Sequence, residues 1–247
     1  MDRLIYTAMS GMGASMLRQR MIASNMANAQ TIGFKAEQLD ARPVTLEGES
    51  MEVRAMNRSE VRGASMREGA VNPTGRELDV ALTGDVMLAL QASDGSEAYT
   101  RRGDLSVTAA GVLQNGDGLP VMGENGPLTV PAGAHVAIAE DGGVLVSDPT
   151  QPDQPAQRVG RLKLASTKGS EIEKGLDGLF RVKGGGVLPS DADARLIPGA
   201  LEQSNVVPSQ VLVDMIEAQR LFEIRTNIVS TARDLDEGSA RLMRLDG

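Results

Sequence analysis

Val211-Leu212-Val213-Asp214-Met215-Ile216-Glu217-Ala218-Gln219-Arg220-Leu221-Phe222-Glu223-Ile224-Arg225-Thr226-Asn227-Ile228-Val229-Ser230 is the stretch that decides how this chain folds. Through it and beyond, Leu221, Ile224, Ile228, Thr231, Leu235, Gly238, Leu242 and Leu245 recur at alternating gaps of 3 and 4, so they share one seam of an α-helix. Val211, Met215, Ala218, Phe222, Arg225, Val229 and Ala232 repeat that spacing on a neighbouring line. Two adjacent seams make a stripe wider than a two-stranded coiled coil uses, which predicts more than one packing partner. A helix of ~40 residues from Asn205 to Leu245 is about 60 Å long, well past the edge of a small globular core.

The opposite terminus carries the matching pattern. Ile5, Met9, Met12, Met16, Gln19, Ala23 and Met26 alternate gaps of 4 and 3, with Arg18 and Arg20 off the seam. This helix reads from Asp2 to about Asn28, where Asn25, Asn28, Thr31 and Gly33 supply residues that end helices. Two arrangements follow: a helical hairpin that covers its own apolar face, or assembly through both termini. The length of the last helix favours assembly.

Composition removes several function classes. Two Tyr, three Phe and no Trp leave a core of Val, Leu, Ala and Met and no stacking platform for bases or sugars. A net charge of −8 without a Lys/Arg cluster argues against nucleic acid as a partner. The absence of cysteine removes disulfides, thiolate zinc sites and thiol nucleophiles. Ser10, Gly11, Arg18 and Gln19 interrupt any apolar leader, so no cleaved signal peptide is expected. No run approaches the ~20 apolar residues of a membrane span, so the chain is not expected to cross a bilayer.

The run Ser24-Asn25-Met26-Ala27-Asn28-Ala29-Gln30-Thr31-Ile32-Gly33-Phe34-Lys35 closely resembles the N-terminal signature N-L-A-N-x-x-T-x-G-F of the flagellar basal-body rod and hook proteins. Met26 stands where Leu is usual and Ile32 where Thr is common. Within that family the opening Met1 to Gly11 is most like the proximal rod members. Tyr99-Thr100-Arg101-Arg102-Gly103-Asp104-Leu105 resembles the family's Y-T-R-x-G-x-F, with Leu105 in place of Phe. Gly118-Leu119-Pro120-Val121-Met122-Gly123 and Gly199-Ala200-Leu201-Glu202-Gln203-Ser204-Asn205-Val206 resemble its G-x-P-V-x-G turn and its C-terminal G-x-L-E-x-S-N-V. The resemblance implies a non-enzymatic subunit of the basal-body rod in the periplasmic space, reached by type III export. Its terminal helices would pack in the wall of a hollow shaft that carries torque from motor to hook. Copies of itself and other proximal and distal rod proteins are then the partners.

Between the helices, residues 36–75 carry many charges and little periodicity and read as an extended linker, with Met51 to Arg54 and Val61 able to form edge strands. The resemblance implies contacts between subunits there. From Pro73 to about Pro198 the period changes to 2, as in Leu78, Val80 and Leu82 or Val86, Leu88 and Leu90. Turn signals such as Ser93-Asp94-Gly95, Asn115-Gly116-Asp117-Gly118 and Asp141-Gly142-Gly143 divide it into short strands. The expected fold is α+β: terminal helices (1–35 and 199–247) packed in a coiled-coil-like domain, and a central all-β domain (76–198) shaped as an irregular barrel or sandwich. Ser204 or Asn205 stands as a cap ahead of Pro208.

Little in the chain suggests catalysis. His135 is the only histidine and alternates with Val136 and Ile138 onto a solvent face. Gly184-Gly185-Gly186 lacks the Lys-Ser or Lys-Thr of a phosphate loop. The pairs Asp191/Asp193 and Asp234/Asp236 read as a polar loop and a solvated helix face. No catalytic, cofactor or metal residue is assigned. The functional residues are instead those of an assembly interface: Ile5, Met9, Met12, Met16, Asn25, Asn28, Gly33, Phe34, Val211, Met215, Leu221, Phe222, Ile224, Ile228 and Leu235. Two rivals remain open, a periplasmic carbohydrate-binding or peptidoglycan-acting module and a distal rod or hook subunit.

Overall fold

The computed structural model describes residues 2–45, 55–131, 133–148 and 154–245, with side chains described over the same ranges except 2–8, 40–45, 55–62, 235–237 and 239–245. The fold is mixed α+β, with a helix at each end, α1 (Asp2–Ala27) and α2 (Pro208–Leu245), and short strands between them. Two units can be separated. One holds α1, α2 and the strands that follow α1; the other holds Asn28–Ala36 and Ala64–Val206.

In the helical unit α1 packs on α2, and the strand Glu37–Thr45 pairs with Ala55–Ala64. Strands thus occupy part of the stretch that reads as a linker in sequence. Beyond Ala27 the chain turns, and Asn28 holds the turn by accepting from Thr31 through both its main-chain and its side-chain oxygen, each at 3.1 Å. At the other end α2 begins on Pro208, which lacks an N–H that a first helical turn would leave unpaired. Ser204 Oγ accepts from Val206 N at 3.2 Å, whereas the side chain of Asn205 is committed elsewhere and does not cap the helix.

The strand unit is built around a five-stranded antiparallel sheet with the order Leu164–Ser166, Val86–Gln91, Glu97–Thr100, Phe180–Val182, Ile172–Lys174. Side chains alternate faces along a strand, and here both faces are covered. Val86, Leu88, Leu90 and Leu164 point into the larger core with Leu105, Leu113, Val121, Val144 and Leu196. Met87, Ala89 and Ala165 point the other way, into a second core with Tyr99, Phe180 and Leu188. The Tyr99 hydroxyl donates to Glu97 Oε1 at 2.7 Å and accepts from Leu188 N at 2.6 Å, so its buried polar atom is satisfied. Burial and the Glu97 carboxylate push that phenol far above its ordinary range.

A three-stranded sheet, His135–Ile138, Gly143–Ser147 and Gln157–Arg161, adds Val136, Ile138 and Val144 to the larger core. Two short pairs close the unit on the side where the chain enters and leaves: Leu196–Pro198 with Val80–Leu82, and Ala200–Glu202 with Val71–Pro73. At the tip of one hairpin Leu176 is 99% exposed, on a turn fixed by the two-toothed Arg181–Asp177 ion pair.

Truncating a fully buried core side chain costs about 2–5 kcal/mol, whereas an exposed site costs about 0.5 kcal/mol or less. Leu88→Ala is therefore expected to lower unfolding free energy by about 2–5 kcal/mol in urea titration, and Leu176→Ala to leave it nearly unchanged.

Candidate assembly surfaces

Within the helical unit the two seams of α2 have different environments. Along one line Val211 and Ala218 are buried, and Met215, Phe222, Arg225, Val229 and Ala232 are half-buried. Arg225 anchors this line to α1, where its guanidinium donates to the Gly11 carbonyl and to Ser15 Oγ. On α1 the covered line carries Gly11, Ser15, Arg18, Ile22 and Asn25, which are mostly small or polar residues. Apolar periodicity has no means of finding such a line.

The other seam is open in the single chain. Leu221, Ile224 and Ile228 are 39%, 47% and 50% exposed, and on α1 Met9 and Met16 are 60% and 57% exposed, with Met12 half-buried. The side chains of Ile5 and Leu235 lie outside the described residues. Early in α2, Leu212, Val213 and Ile216 form a further exposed apolar group that the seam spacing does not include.

Asn25, at the end of α1, is buried and does the work of a strand neighbour. Its Nδ2 donates to Glu37 O at 3.1 Å and its Oδ1 accepts from Glu37 N at 2.8 Å, which fixes the first residue of the Glu37–Thr45 strand against the helix.

Three of the sequence motifs meet inside the strand unit. Glu202, on the Ala200–Glu202 strand, has a wholly buried carboxylate that holds two cations: Lys35 Nζ lies 2.6 Å from Oε1 and Arg101 Nε 2.6 Å from Oε2. Gly69 N also donates to Oε1, at 2.8 Å. Each cation finishes its bonding on main-chain oxygens. Lys35 donates to Arg67 O at 2.7 Å, while Arg101 donates to Gly84 O, Val86 O and Leu82 O at 2.5, 3.1 and 2.6 Å. Burial, joined by the nearby Arg101 charge, lowers the Lys35 pKa against the opposing pull of Glu202.

Gly33 and Phe34 complete the junction. Gly33 N donates to Glu202 O at 2.8 Å. The glycine takes φ +67°, and a Cβ there would sit 2.4 Å from the Arg101 carbonyl carbon, so no other residue fits without moving backbone. The Phe34 ring lies under Lys174, with Nζ 3.5 Å from its centroid. Asn205 acts as a clasp beside them: its Oδ1 accepts from Ala36 N at 2.7 Å, and its Nδ2 donates to Ser65 O and Arg67 O at 2.7 and 2.8 Å. Lys35, Arg101 and Glu202 entered the sequence reading only as members of motifs, and Asn205 as a motif member and a helix cap. The available signal was that each stands inside one of the motifs quoted above.

The residues weighed for chemistry are spread apart. His135 is exposed, with Nε2 3.3 Å from Glu77 Oε2. Asp191 Oδ1 accepts from Asp193 N at 2.9 Å, a local loop contact. Gly184, Gly185 and Gly186 form a turn after Phe180–Val182, with Gly185 N donating to Val182 O at 3.0 Å. Among the described residues no group of His, Asp and Glu is placed to hold a metal ion, and no helix is long and apolar enough to cross a membrane.

Three family profiles match the chain: "Flagella basal body rod protein" over residues 5–35, "Flagellar hook protein FlgE/F/G D1 domain" over 81–146, and "Flagellar basal body rod FlgEFG protein C-terminal" over 197–242. The chain is 41% identical to flagellar basal-body rod protein FlgF of Salmonella typhimurium over 246 residues, covering 97% of each. It is 42% identical to FlgF of Escherichia coli over 240 residues, covering 95% of each. Flagellar basal-body rod protein FlgG of Bacillus subtilis is 28% identical over 268 residues, covering 99% of this chain and all of that one.

Removing one member of a buried ion cluster strands the others, at a cost of about 3–5 kcal/mol. Glu202→Gln, which keeps the shape and removes the charge, is expected to lower the stability of the strand unit by that amount in chemical denaturation. Gly33→Ala is expected to destabilise it as well, through the clash with the Arg101–Arg102 peptide.

Proposed function

The chain belongs to the flagellar basal-body rod protein family and is a structural subunit of that rod; from this premise we propose that it assembles through the open seams of its two terminal helices. Residues 1–35 and 199–247 contribute the axial core domain, a coiled-coil-like helical layer, and residues 36–75 contribute inter-subunit contacts. The central domain, 76–198, forms a compact irregular barrel or sandwich. The subunit occupies the proximal part of the hollow shaft, as its opening residues suggest, and passes torque from motor to hook. Its neighbours are copies of itself and other rod proteins. It works in the periplasmic space, arrives by type III export, and has no catalytic role.

The observation that carries this reading is the pair of seams on α2. One is already occupied within the chain through Val211, Ala218 and Arg225, while Leu221, Ile224 and Ile228 remain half open to water. Met9 and Met16 are likewise open on α1. Burying a side chain of this size contributes about 1.5–3 kcal/mol, so a row of them supplies a sufficient driving force for ordered stacking. The similarity to rod proteins named FlgF along nearly the whole chain supports the same reading and does not favour a carbohydrate-binding module.

Ile228→Asp places a charge on the open seam without touching either core. The variant subunit is expected to keep its unfolding free energy within about 0.5 kcal/mol, yet to fail to enter isolated basal bodies and to leave cells non-motile in soft agar. Normal rods built from this variant would show that the seam lies elsewhere.

A further inference from the structure

The open faces of the two helices differ in chemistry. The α2 face is made of Leu221, Ile224 and Ile228, whereas the large apolar side chains of the α1 face are thioethers, Met9 and Met16, on one line two turns apart with Gly13 and Arg20. Methionine is the softer choice for a contact surface, and it is also the one that a peroxide can change. Cysteine, which would compete for oxidant, is absent from the chain. Other described methionines are more protected: Met12, Met21, Met26, Met66, Met122 and Met215 are half-buried, and Met87 is fully buried in the second core.

We propose that Met9 and Met16 form a reversible oxidation site that switches the α1 assembly face of the free subunit between an apolar and a polar state. The inference rests on the reading of that face as an assembly surface. In the forward step a sulfur lone pair attacks a hydroperoxide, the O–O bond breaks, an S–O bond forms, and the peroxide is reduced to water or alcohol. The sulfur is oxidised by two electrons, and a dithiol-dependent sulfoxide reductase returns it to the thioether with release of water and a disulfide. A sulfoxide is far more polar than a thioether, and taking it out of water in a helix seam carries a desolvation cost, so the oxidised face resists packing. Once packed, the same sulfurs are shielded, which confines the switch to subunits not yet incorporated.

The test starts from purified full-length subunit treated with limiting hydrogen peroxide and mapped by peptide mass spectrometry. Met9 and Met16 are expected to oxidise first and Met87 last; Met87 keeping pace with them overturns the site. The treated subunit is then offered to basal bodies that lack it. Incorporation is expected to fall by about tenfold or more, the factor for losing one buried side chain's contribution, and to recover after methionine sulfoxide reductase. Met9→Leu/Met16→Leu subunit is expected to incorporate equally before and after peroxide; an equal loss in that variant overturns the switch. Untreated Met9→Asp/Met16→Asp subunit separates the two readings, because its normal incorporation would remove the α1 face from assembly altogether.

Discussion

A single buried carboxylate constrains the strand unit more than any other group. Glu202 lies with both oxygens out of water, and it is tolerable there only because Lys35 and Arg101 meet it at 2.6 Å and Gly69 adds a main-chain donor. Such clusters are weak sources of net stability, since desolvation consumes most of the Coulombic gain. What they provide is uniqueness of arrangement: three charges with their hydrogen bonds complete in one geometry and incomplete in every other. Arg101 then ties the main chain at Leu82, Gly84 and Val86, while Lys35 ties it at Arg67, so the cluster also fixes the start of the Val86–Gln91 strand of the main sheet.

The helical unit obeys a different rule. Its internal packing uses a line on α1 made of Gly11, Ser15, Arg18, Ile22 and Asn25, held to α2 by the Arg225 fork. Polar contact within the chain leaves the stickier lines, Met9 with Met16 and Leu221 with Ile224 and Ile228, facing outward. In a protein that works alone this division would be a liability, because contiguous exposed apolar surface invites association. In a rod subunit association is the task.

How much of this could be read from sequence depended on the kind of signal. Both long helices and the two seams of α2 were visible because apolar residues at gaps of 3 and 4 leave no other conformation that aligns them. The covered line of α1 was not, since glycine, serine and arginine carry no hydropathy. In the strand unit the alternation of Val86, Leu88 and Leu90 was plain, but Met87 and Ala89 are buried as well, and period 2 cannot announce a second core on the opposite face. Residues 36–75 read as linker because their strands, Glu37–Thr45 and Ala55–Ala64, are crowded with charge. The Glu202 cluster was hidden for a simpler reason: its members are separated by 167 and 101 residues, and nothing local marks a carboxylate as the partner of a distant lysine.

Those separations also set an order of events during biogenesis. A chain that emerges N-terminus first presents Lys35 and then Arg101 long before Glu202 exists to receive them, and two uncompensated cations cannot be drawn into an apolar interior. Closure of the strand unit must wait until about four-fifths of the polypeptide is free, in keeping with the slow folding of topologies dominated by distant contacts. Up to that moment the strand unit has no counter-charge for its two cations, and the segment that carries Glu202 supplies it and locks the rest.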